Sequence, residues 1–424
     1  MKAVILAAGE GARLRPITRT RPKHLIKMGG KPLLEYCLRG IKTAGVEEVV
    51  MVVHYMADAI RNYIQDARDW GLNVEYVEQE EVLGTGDAVE AVESYVEDDF
   101  LVVYGDLLFD SHIVKKVIQM HEEHQSAATM AVVPVEHSEE YGIVEIEGGK
   151  VVKIVEKPRG EGVSNLANAG VYVFSREVFK KIRKTSVSVR GEREITDAIS
   201  LMIQGEEQVA AAQISKEEWL DVGRPWNLLD ANRWVLMREE HQIRGRVEDD
   251  AHLIGKVTVA KTARVRSGAY VEGPVFIGEG SDIGPNCYIR PYTSIGENVR
   301  IGNACEVKNC VVMDGTHIGH LSYVGDSVMG ENCNLGAGTV TANLRLDNGN
   351  VMMTVKEESV NTGRRKLGMV LGDGVKTGVN ALFMPGVKVG CNSWIGPNVI
   401  VYQDVEADKK VILKQDTEEK HLDS

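Results

Sequence analysis

From residue 253 an apolar side chain returns at every sixth position: Leu253, Val259, Val265, Val271, Ile277, Ile283, Ile289, Ile295, Ile301 and Val307. This period constrains the fold more than any other feature of the chain. Strands repeat every second residue and helices about every 3.6. A six-residue period instead suits a coil of three short strands, each turning one apolar side chain inward, which is a parallel β-helix. Gly278, Gly284, Gly296 and Gly302 follow inward positions, where a missing Cβ eases a tight corner. The register returns at Ile318 and Val324, and again at Leu371, Thr377, Phe383, Val389, Ile395 and Val401. Over about 342–370 it fails, in "ANLRLDNGNVMMTVKEESVNTGRRKLGM". An interruption that long in a solenoid is functional or disordered.

The first 240 residues follow a different grammar. "KAVILAA", "EVVMVVHY", "NVEYVEQ" and "FLVVYGDLLF" read as strands, and "KPLLEYCLRGIKTAG", "DAIRNYIQDARDW" and "GDAVEAVESYV" as helices between them. Such alternation predicts an α/β, Rossmann-like domain with a mostly parallel mixed sheet, which binds ligands beyond the carboxyl ends of its strands. "EREITDAISLMIQ" and "PWNLLDANRWVLMREEHQ" read as closing helices. The expected organisation is an α/β domain over 1–240, a left-handed β-helix over 247–407 with the loop 342–370 inserted, and a charged tail over 408–424, frayed or arm-like.

A net charge of −13 argues against general nucleic-acid binding. No run of eighteen apolar residues suggests a membrane span, and the opening apolar run is read as a buried strand rather than a signal peptide, so a cytoplasmic location is expected. The six cysteines lack C-x-x-C spacing and are expected to be reduced, packed thiols.

Against this acidic background, "LAAGEGARLRPITRTRPKH" concentrates cations. A dinucleotide loop needs a third glycine where Leu14 stands, and a Walker A loop needs a G-K-[ST] that is absent. Gly9 and Gly11 can still bring backbone N–H groups close to phosphate oxygens. Arg13 and Lys23 can balance the charge of a triphosphate or of pyrophosphate.

This loop, with "LGTGDA", "YGD", "VEKP", "NAGVYVF" and "WLDVGRPWNLLDAN", resembles in order and spacing the sugar-1-phosphate nucleotidylyltransferases, in particular the glucose-1-phosphate thymidylyl- and uridylyltransferase branch. The resemblance covers about 1–235. It implies nucleotide binding by Leu6, Ala8, Gly9 and Gly11, and recognition of the base by Gln79, Gly84 and Thr85. It further implies Mg²⁺ on Asp106 and Asp221, sugar binding by Gly142, Glu156 and Asn168, and contact between Lys157 and the sugar phosphate. Gln79 suits uracil and thymine equally, so UTP and dTTP both stand. Ala12 occupies a position where family members commonly carry Thr or Ser.

In the second half, "CYIRPYTSIG", "CEVKNCVV", "IGHLSYVGDS" and "NLGAGTVTAN" resemble the acetyltransferase domain of bifunctional GlmU enzymes, in an archaeal-like variant. The resemblance implies His320 as general base, Arg290 and Lys308 on the sugar phosphate, and Tyr323 and Asn334 on the sugar. Asn343 would lie near the amine, with Ala337 and Gly378 along acetyl-CoA. It also implies a homotrimer. Leu344 stands where a Tyr is usual, which opens the site to galactosamine-1-phosphate as well as glucosamine-1-phosphate. Arg364, Arg365 and Lys366 suit a phosphate or a solvated face equally. Together the two resemblances imply a bifunctional enzyme making UDP-N-acetylglucosamine. The alternative is a glucose-1-phosphate nucleotidylyltransferase whose β-helix only assembles the protein.

Overall fold

A computed structural model describes residues 1–66, 70–158, 164–188 and 191–421. Residues 67–69, in the expected helix "DAIRNYIQDARDW", and residues 422–424 of the tail lie outside them. The chain divides into two compact units. One comprises Met1–Gly11, Arg21–Ile26 and Lys31–Val222; the other comprises Ala12–Thr20, Lys27–Gly30 and Gly223–Ser424.

The first unit is built on nine strands. These are β1 (Ala3–Ala7), β2 (Glu48–Val53), β3 (Asn73–Glu78), β4 (Phe100–Tyr104), β6 (Ala128–Pro134), β7 (Gly142–Glu147), β8 (Lys150–Glu156), β9 (Leu166–Phe174) and β10 (Val209–Gln213), in the order β3-β2-β1-β4-β9-β6-β10-β8-β7. The β3-β2-β1-β4 half is parallel, as the alternation predicted. Beyond β4 the pairing is mixed: β9 runs antiparallel to β4 and β6, and β10 lies parallel to β6. Residues 128–213 thus add five strands where the sequence reading had identified only motifs.

Helices α1 (Leu33–Thr43), α2 (Ala57–Asp66) and α4 (His112–His124) cover one face of the sheet, and α3 (Thr85–Glu90), α5 (Glu177–Ile182) and α6 (Ile195–Gln204) cover the other. The alternation of β1 shows why both faces need cover. Ala3, Ile5 and Ala7 enter one core, while Val4 enters the other.

The expected strand "FLVVYGDLLF" breaks in two. A Cβ at Gly105 would lie 3.1 Å from the Leu6 carbonyl oxygen and 3.2 Å from Ile5 Cγ2, a crowding that glycine avoids as the chain leaves the sheet. The remainder, β5 (Leu107–Phe109), pairs antiparallel with β11 (Trp219–Asp221) in a separate ribbon.

The second unit carries the β-helix. Three parallel sheets of nine, eight and seven strands stack one strand per coil among the described residues. Every hexad residue of the sequence reading falls on an inward position. The column Val265, Ile283, Ile301, Ile318 is one example, with each of these residues wholly buried. Ile295 pairs with Val312 and Val312 with Met329, so two successive coils are one residue short of three hexads. Both omissions fall at one corner, at Asn309 and Asp326, where the backbone is left-handed at φ 49° and 52°.

The insertion forms an antiparallel hairpin of Met352–Val355 and Glu358–Asn361, turning through Lys356 and Glu357 at positive φ. Helix α7 (Asn227–Arg238) belongs to this unit. Its Asn232 amide donates to the Tyr292 carbonyl at 2.8 Å and its Asp230 accepts from Arg364 at 2.6 Å. The tail begins as structure rather than as an arm: Lys410–Val411 adds a last strand beside Trp394–Ile395, and exposed chain follows.

Candidate functional sites

In the first unit the carboxyl end of β1 runs into the glycine loop. A Cβ at Gly9 would lie 3.7 Å from Lys23 Cε and 3.8 Å from its Nζ, so the lysine lies over bare backbone. Lys23 Nζ forms an ion pair with Asp106, which follows β4 and is 7% exposed. Burial alone pushes the Asp106 carboxyl up. The Lys23 ammonium and the hydrogen bonds to the carboxylate outweigh it and hold the group below the usual carboxylate range. Asp221 ends β11 opposite Leu107, and the Val222 N–H donates to the Asp106 carbonyl at 3.3 Å. The two expected metal-binding positions therefore occupy adjacent strand ends.

Leu6 pairs with Tyr104 across β1 and β4, and Ala8 accepts from the Tyr55 N–H at 3.4 Å. Gly11 takes a left-handed φ of 67°. Arg13 is exposed and belongs to the segment grouped with the second unit. Behind Lys23 lies His24, wholly buried, with neither ring nitrogen hydrogen-bonded. Burial and the neighbouring Lys23 charge lower its pKa to about 3, so it is neutral at physiological pH. The sequence reading passed over it, because nothing in "RPKHLI" marks that residue as buried.

Gln79 follows β3 and is 3% exposed. Its Nε2 donates to Asp87 Oδ2 at 2.7 Å, and its carbonyl accepts from His54 Nδ1 at 2.7 Å. The Gly84–Thr85 turn is pinned from an unexpected quarter. The Arg193 N–H donates to the Leu83 carbonyl at 2.6 Å, the Gly86 N–H donates to the Arg193 carbonyl at 2.8 Å, and the Ile195 N–H donates to the Thr85 hydroxyl at 3.0 Å. Gly84 has φ 117°, and a Cβ there would sit 2.5 Å from the Arg193 oxygen.

Gly142, Glu156 and Asn168 converge. A Cβ at Gly142 would fall 2.9 Å from Glu156 Oε2 and 3.6 Å from Asn168 Cβ. Asn168 donates to the Tyr172 hydroxyl at 2.5 Å, and Thr196 donates to Glu156 at 3.3 Å. Lys157 has φ 44° and its Nζ is 3.9 Å from Glu156. At the far end of the β5/β11 ribbon, ligand atoms of Asp110, His112 and Glu218 lie within 4.8 Å of one another.

In the second unit, stacking brings distant residues into columns. Ile289 pairs with Val307 and Lys308 with Gly325, which places Arg290, Lys308 and Gly325 on successive coils. Arg290 donates to Glu306 at 2.9 Å. Lys308 Nζ donates to Asp326 at 3.3 Å, Asn309 Nδ2 donates to the same carboxylate at 2.7 Å, and so does Asn343 Nδ2 at 2.5 Å. Asn343 Nδ2 also lies 3.1 Å from the Tyr323 hydroxyl. Arg290, Lys308, Tyr323 and Asn343 thus gather around one corner, and Asp326, unnoticed in the sequence, is the hub. The missing residue in the hexad count marked that corner.

Among the described residues, His320 is not tied into this cluster by a hydrogen bond. Its ring is exposed, and its carbonyl accepts from the Ser322 hydroxyl at 2.8 Å. Asn334 is exposed on the neighbouring sheet, paired with Lys376. The Ala337 carbonyl accepts from the Asn380 N–H at 2.8 Å. Gly378 packs against Pro397, which a Cβ would strike at 2.5 Å. All six cysteines are buried and free. Among the described residues no helix is long and apolar enough to cross a membrane.

A glycine loop over a lysine–carboxylate pair at parallel strand ends, with a left-handed β-helix in the same chain, defines a nucleotidyl transferase joined to a hexapeptide-repeat domain. The profile described as Nucleotidyl transferase matches residues 2–238, and that described as GMPPB C-terminal domain matches residues 271–380. The chain is 40% identical over 386 residues to the Bifunctional protein GlmU of Methanocaldococcus jannaschii, covering 91% of each. It is also 40% identical to the Bifunctional sugar-1-phosphate nucleotidylyltransferase/acetyltransferase of Sulfurisphaera tokodaii, covering 91% of this chain and 93% of the relative. The crystal structure of UDP-glucose pyrophosphorylase complexed with UDP-glucose aligns with a TM-score of 0.52 at 25% identity, over 56% of this chain and 99% of that one. The chain belongs to the bifunctional GlmU family.

Proposed function

We propose that this chain makes UDP-N-acetylglucosamine in two steps. It acetylates glucosamine-1-phosphate with acetyl-CoA, then transfers a uridylyl group from UTP to the product. The observation that carries this reading is the presence, on one chain, of two polar clusters of different chemistry. Gly9, Lys23 and Asp106 form a cluster suited to phosphates. Lys308, Tyr323, Asp326 and Asn343 form one suited to a phosphorylated amino sugar.

In the acetyl-transfer step the sugar amine attacks the thioester carbonyl. A C–N bond forms, the C–S bond breaks, CoA leaves as the thiol, and His320 takes the amine proton. An imidazole ring nitrogen carries a lone pair that can accept such a proton. Arg290 and Lys308 face the sugar phosphate, Tyr323 and Asn334 the sugar, Asn343 the amine, and Ala337 and Gly378 line the path of acetyl-CoA.

In the nucleotidylyl step a sugar-phosphate oxygen attacks the α-phosphorus in line and pyrophosphate leaves, with no covalent protein intermediate. Leu6, Ala8, Gly9 and Gly11 offer backbone to the nucleotide, Lys23 and Arg13 balance phosphate charge, and Gln79, Gly84 and Thr85 face the base. Gly142, Glu156 and Asn168 hold the sugar and Lys157 its phosphate. Asp106 and Asp221 offer hard carboxylate oxygens from adjacent strand ends, a donor set that fits Mg²⁺. A bound Mg²⁺ would add to the neutralisation of the triphosphate. The reading assigns 1–240 to nucleotidylyl transfer and 247–407 to acetyl transfer, in a cytoplasmic homotrimer.

The test supplies glucosamine-1-phosphate, acetyl-CoA and UTP together. The expected result is release of CoA thiol and of pyrophosphate, with UDP-N-acetylglucosamine as product. Pyrophosphate release from glucose-1-phosphate, with no thiol release from any amino-sugar phosphate, would mean that the β-helix is an assembly domain only.

A further inference from the structure

We infer that Asp326 is the positioning residue of the acetyl-acceptor site, holding Asn343 so that its amide oxygen, not its amide nitrogen, is offered to the acceptor amine. The inference rests on the reading of the β-helix as an acetyltransferase.

Asp326 is 4% exposed, and three N–H donors converge on its carboxylate: Lys308 Nζ at 3.3 Å, Asn309 Nδ2 at 2.7 Å and Asn343 Nδ2 at 2.5 Å. A side-chain amide has two unlike ends, one that only donates and one that only accepts. A carboxylate can only accept, so the nitrogen end of Asn343 must face it. The second N–H of that nitrogen reaches the Tyr323 hydroxyl at 3.1 Å. Both amide protons are therefore committed. Oδ1 has no partner among the described residues and is the end left for a substrate. An amine is the acceptor this oxygen suits, because it can donate an N–H to Oδ1 while its lone pair attacks the thioester.

The local sequence is fitted to this arrangement. A Cβ at Gly325 would fall 2.5 Å from the Tyr323 hydroxyl and 2.8 Å from Asn343 Nδ2, so the residue before Asp326 has to be bare. Asp326 also closes the neck of the insertion. The Gly368 N–H donates to the Asp326 carbonyl at 2.8 Å, and the Leu367 N–H donates to the Asn343 carbonyl at 2.9 Å. Asp326 thereby fixes where the insertion leaves the coil and where it returns, and Asn343 is the first side chain past that neck.

The experiment is Asp326→Asn in the full-length protein, with acetyl transfer and nucleotidylyl transfer measured on the same sample. An amide at 326 adds N–H donors facing the donors of Lys308, Asn309 and Asn343, and the Asn343 amide loses its reason to point one way. kcat/KM for glucosamine-1-phosphate should fall about thirtyfold, the effect of a hydrogen bond to a charged group. KM for acetyl-CoA and the rate of pyrophosphate release should stay within about twofold, which a general loosening of the coil would not give. Asn343→Ala should cost a similar factor, and the double variant should lose less than the product of the two single losses, because the residues act through one contact.

If the charge change at 326 prevents folding, Gly325→Ala tests the same contact without altering charge. It should lower acceptor kcat/KM roughly tenfold, by displacing Tyr323 and Asn343. Acceptor kcat/KM within about threefold of wild type in Asp326→Asn, or strictly multiplicative losses in the double variant, overturns the inference alone. No thiol release by the wild-type chain with any amino-sugar phosphate overturns both the inference and the acetyltransferase reading beneath it.

Discussion

The two units assemble polar clusters by opposite means. In the first, the loop that carries Gly9 and Lys23 meets Asp106, far along the chain, because a parallel sheet delivers its strand ends to one edge. In the second, Arg290, Lys308 and Gly325 meet because each stands about one coil after the last. A sheet edge collects whatever its loops bring, so its chemistry depends on the exact residues of each loop. A coil corner collects by repetition, and departs from it where a residue is dropped, as at Asn309 and Asp326. The first unit should therefore fail abruptly when one loop residue changes, while the second should fail by degrees, coil by coil.

The largest expected effect tests the abrupt side. Asp106→Ala removes the carboxylate opposite Lys23, and nucleotidylyl transfer should drop by at least about a thousandfold, the order seen when a charge-stabilising group is removed. Acetyl transfer by the same sample should be unchanged, and loss of both activities would break the contrast. Next comes His320→Ala, with an expected loss of roughly a hundredfold to a thousandfold in thiol release and none in pyrophosphate release. Loss of both would make His320 a structural residue.

Ile289→Ala, in the wholly buried column of the β-helix, should cost about 3 kcal/mol in denaturant unfolding of the second unit. Leu346→Ala, at a side chain that is 100% exposed, should cost nothing measurable. A smaller effect concerns pH. The fold disfavours the charged form of His24, whose pKa drops from 6.5 to about 3. That contribution is complete above pH 6.5 and is lost progressively as pH falls towards 3. The first unit should be weakened by roughly 2 kcal/mol at pH 5 relative to pH 7, and His24→Leu should shrink that difference. Equal pH sensitivity in the variant would refute it. The smallest measurable effect is that of Gly84→Ala, whose Cβ meets the Arg193 oxygen. KM for UTP should rise about tenfold as the turn shifts, with kcat little changed.

Legibility followed the same divide. The hexad period located inward residues from Leu253 to Val307 and from Leu371 to Val401, because one side chain per short strand must be apolar whatever its neighbours do; Val312, Met329 and Leu335, which follow the dropped residues, were not among them. Strands β1 to β4 were legible in the sequence, and β1, β2 and β4 are apolar runs buried on both faces, whereas β3 is half-exposed. Strands β6 to β10 were not named, although motifs within them were. Their pairings are mostly antiparallel and partly exposed, as in β8, where buried and exposed residues alternate irregularly.

Gly142, Glu156 and Asn168 were singled out only through family motifs, because spacing along the chain gives no sign that they are neighbours in space. Arg193 was missed because its backbone, not its side chain, pins the Gly84 turn. Asp326 was missed although it stands within "GHLSYVGDS". Its importance comes from three donors on other coils, and a linear reading sees none of them beside it.

The buried cysteines have a practical consequence. Cys37, Cys287, Cys305, Cys310, Cys333 and Cys391 are each less than 5% exposed, and burial raises the pKa of every one of these thiols. The folded chain therefore offers almost no thiolate to an electrophile at neutral pH. A colorimetric thiol reagent added to a working reaction should register free CoA against a silent protein background. Any slow colour that grows without acetyl-CoA would then report the fraction of molecules that have come unfolded, so the assay carries its own gauge of integrity.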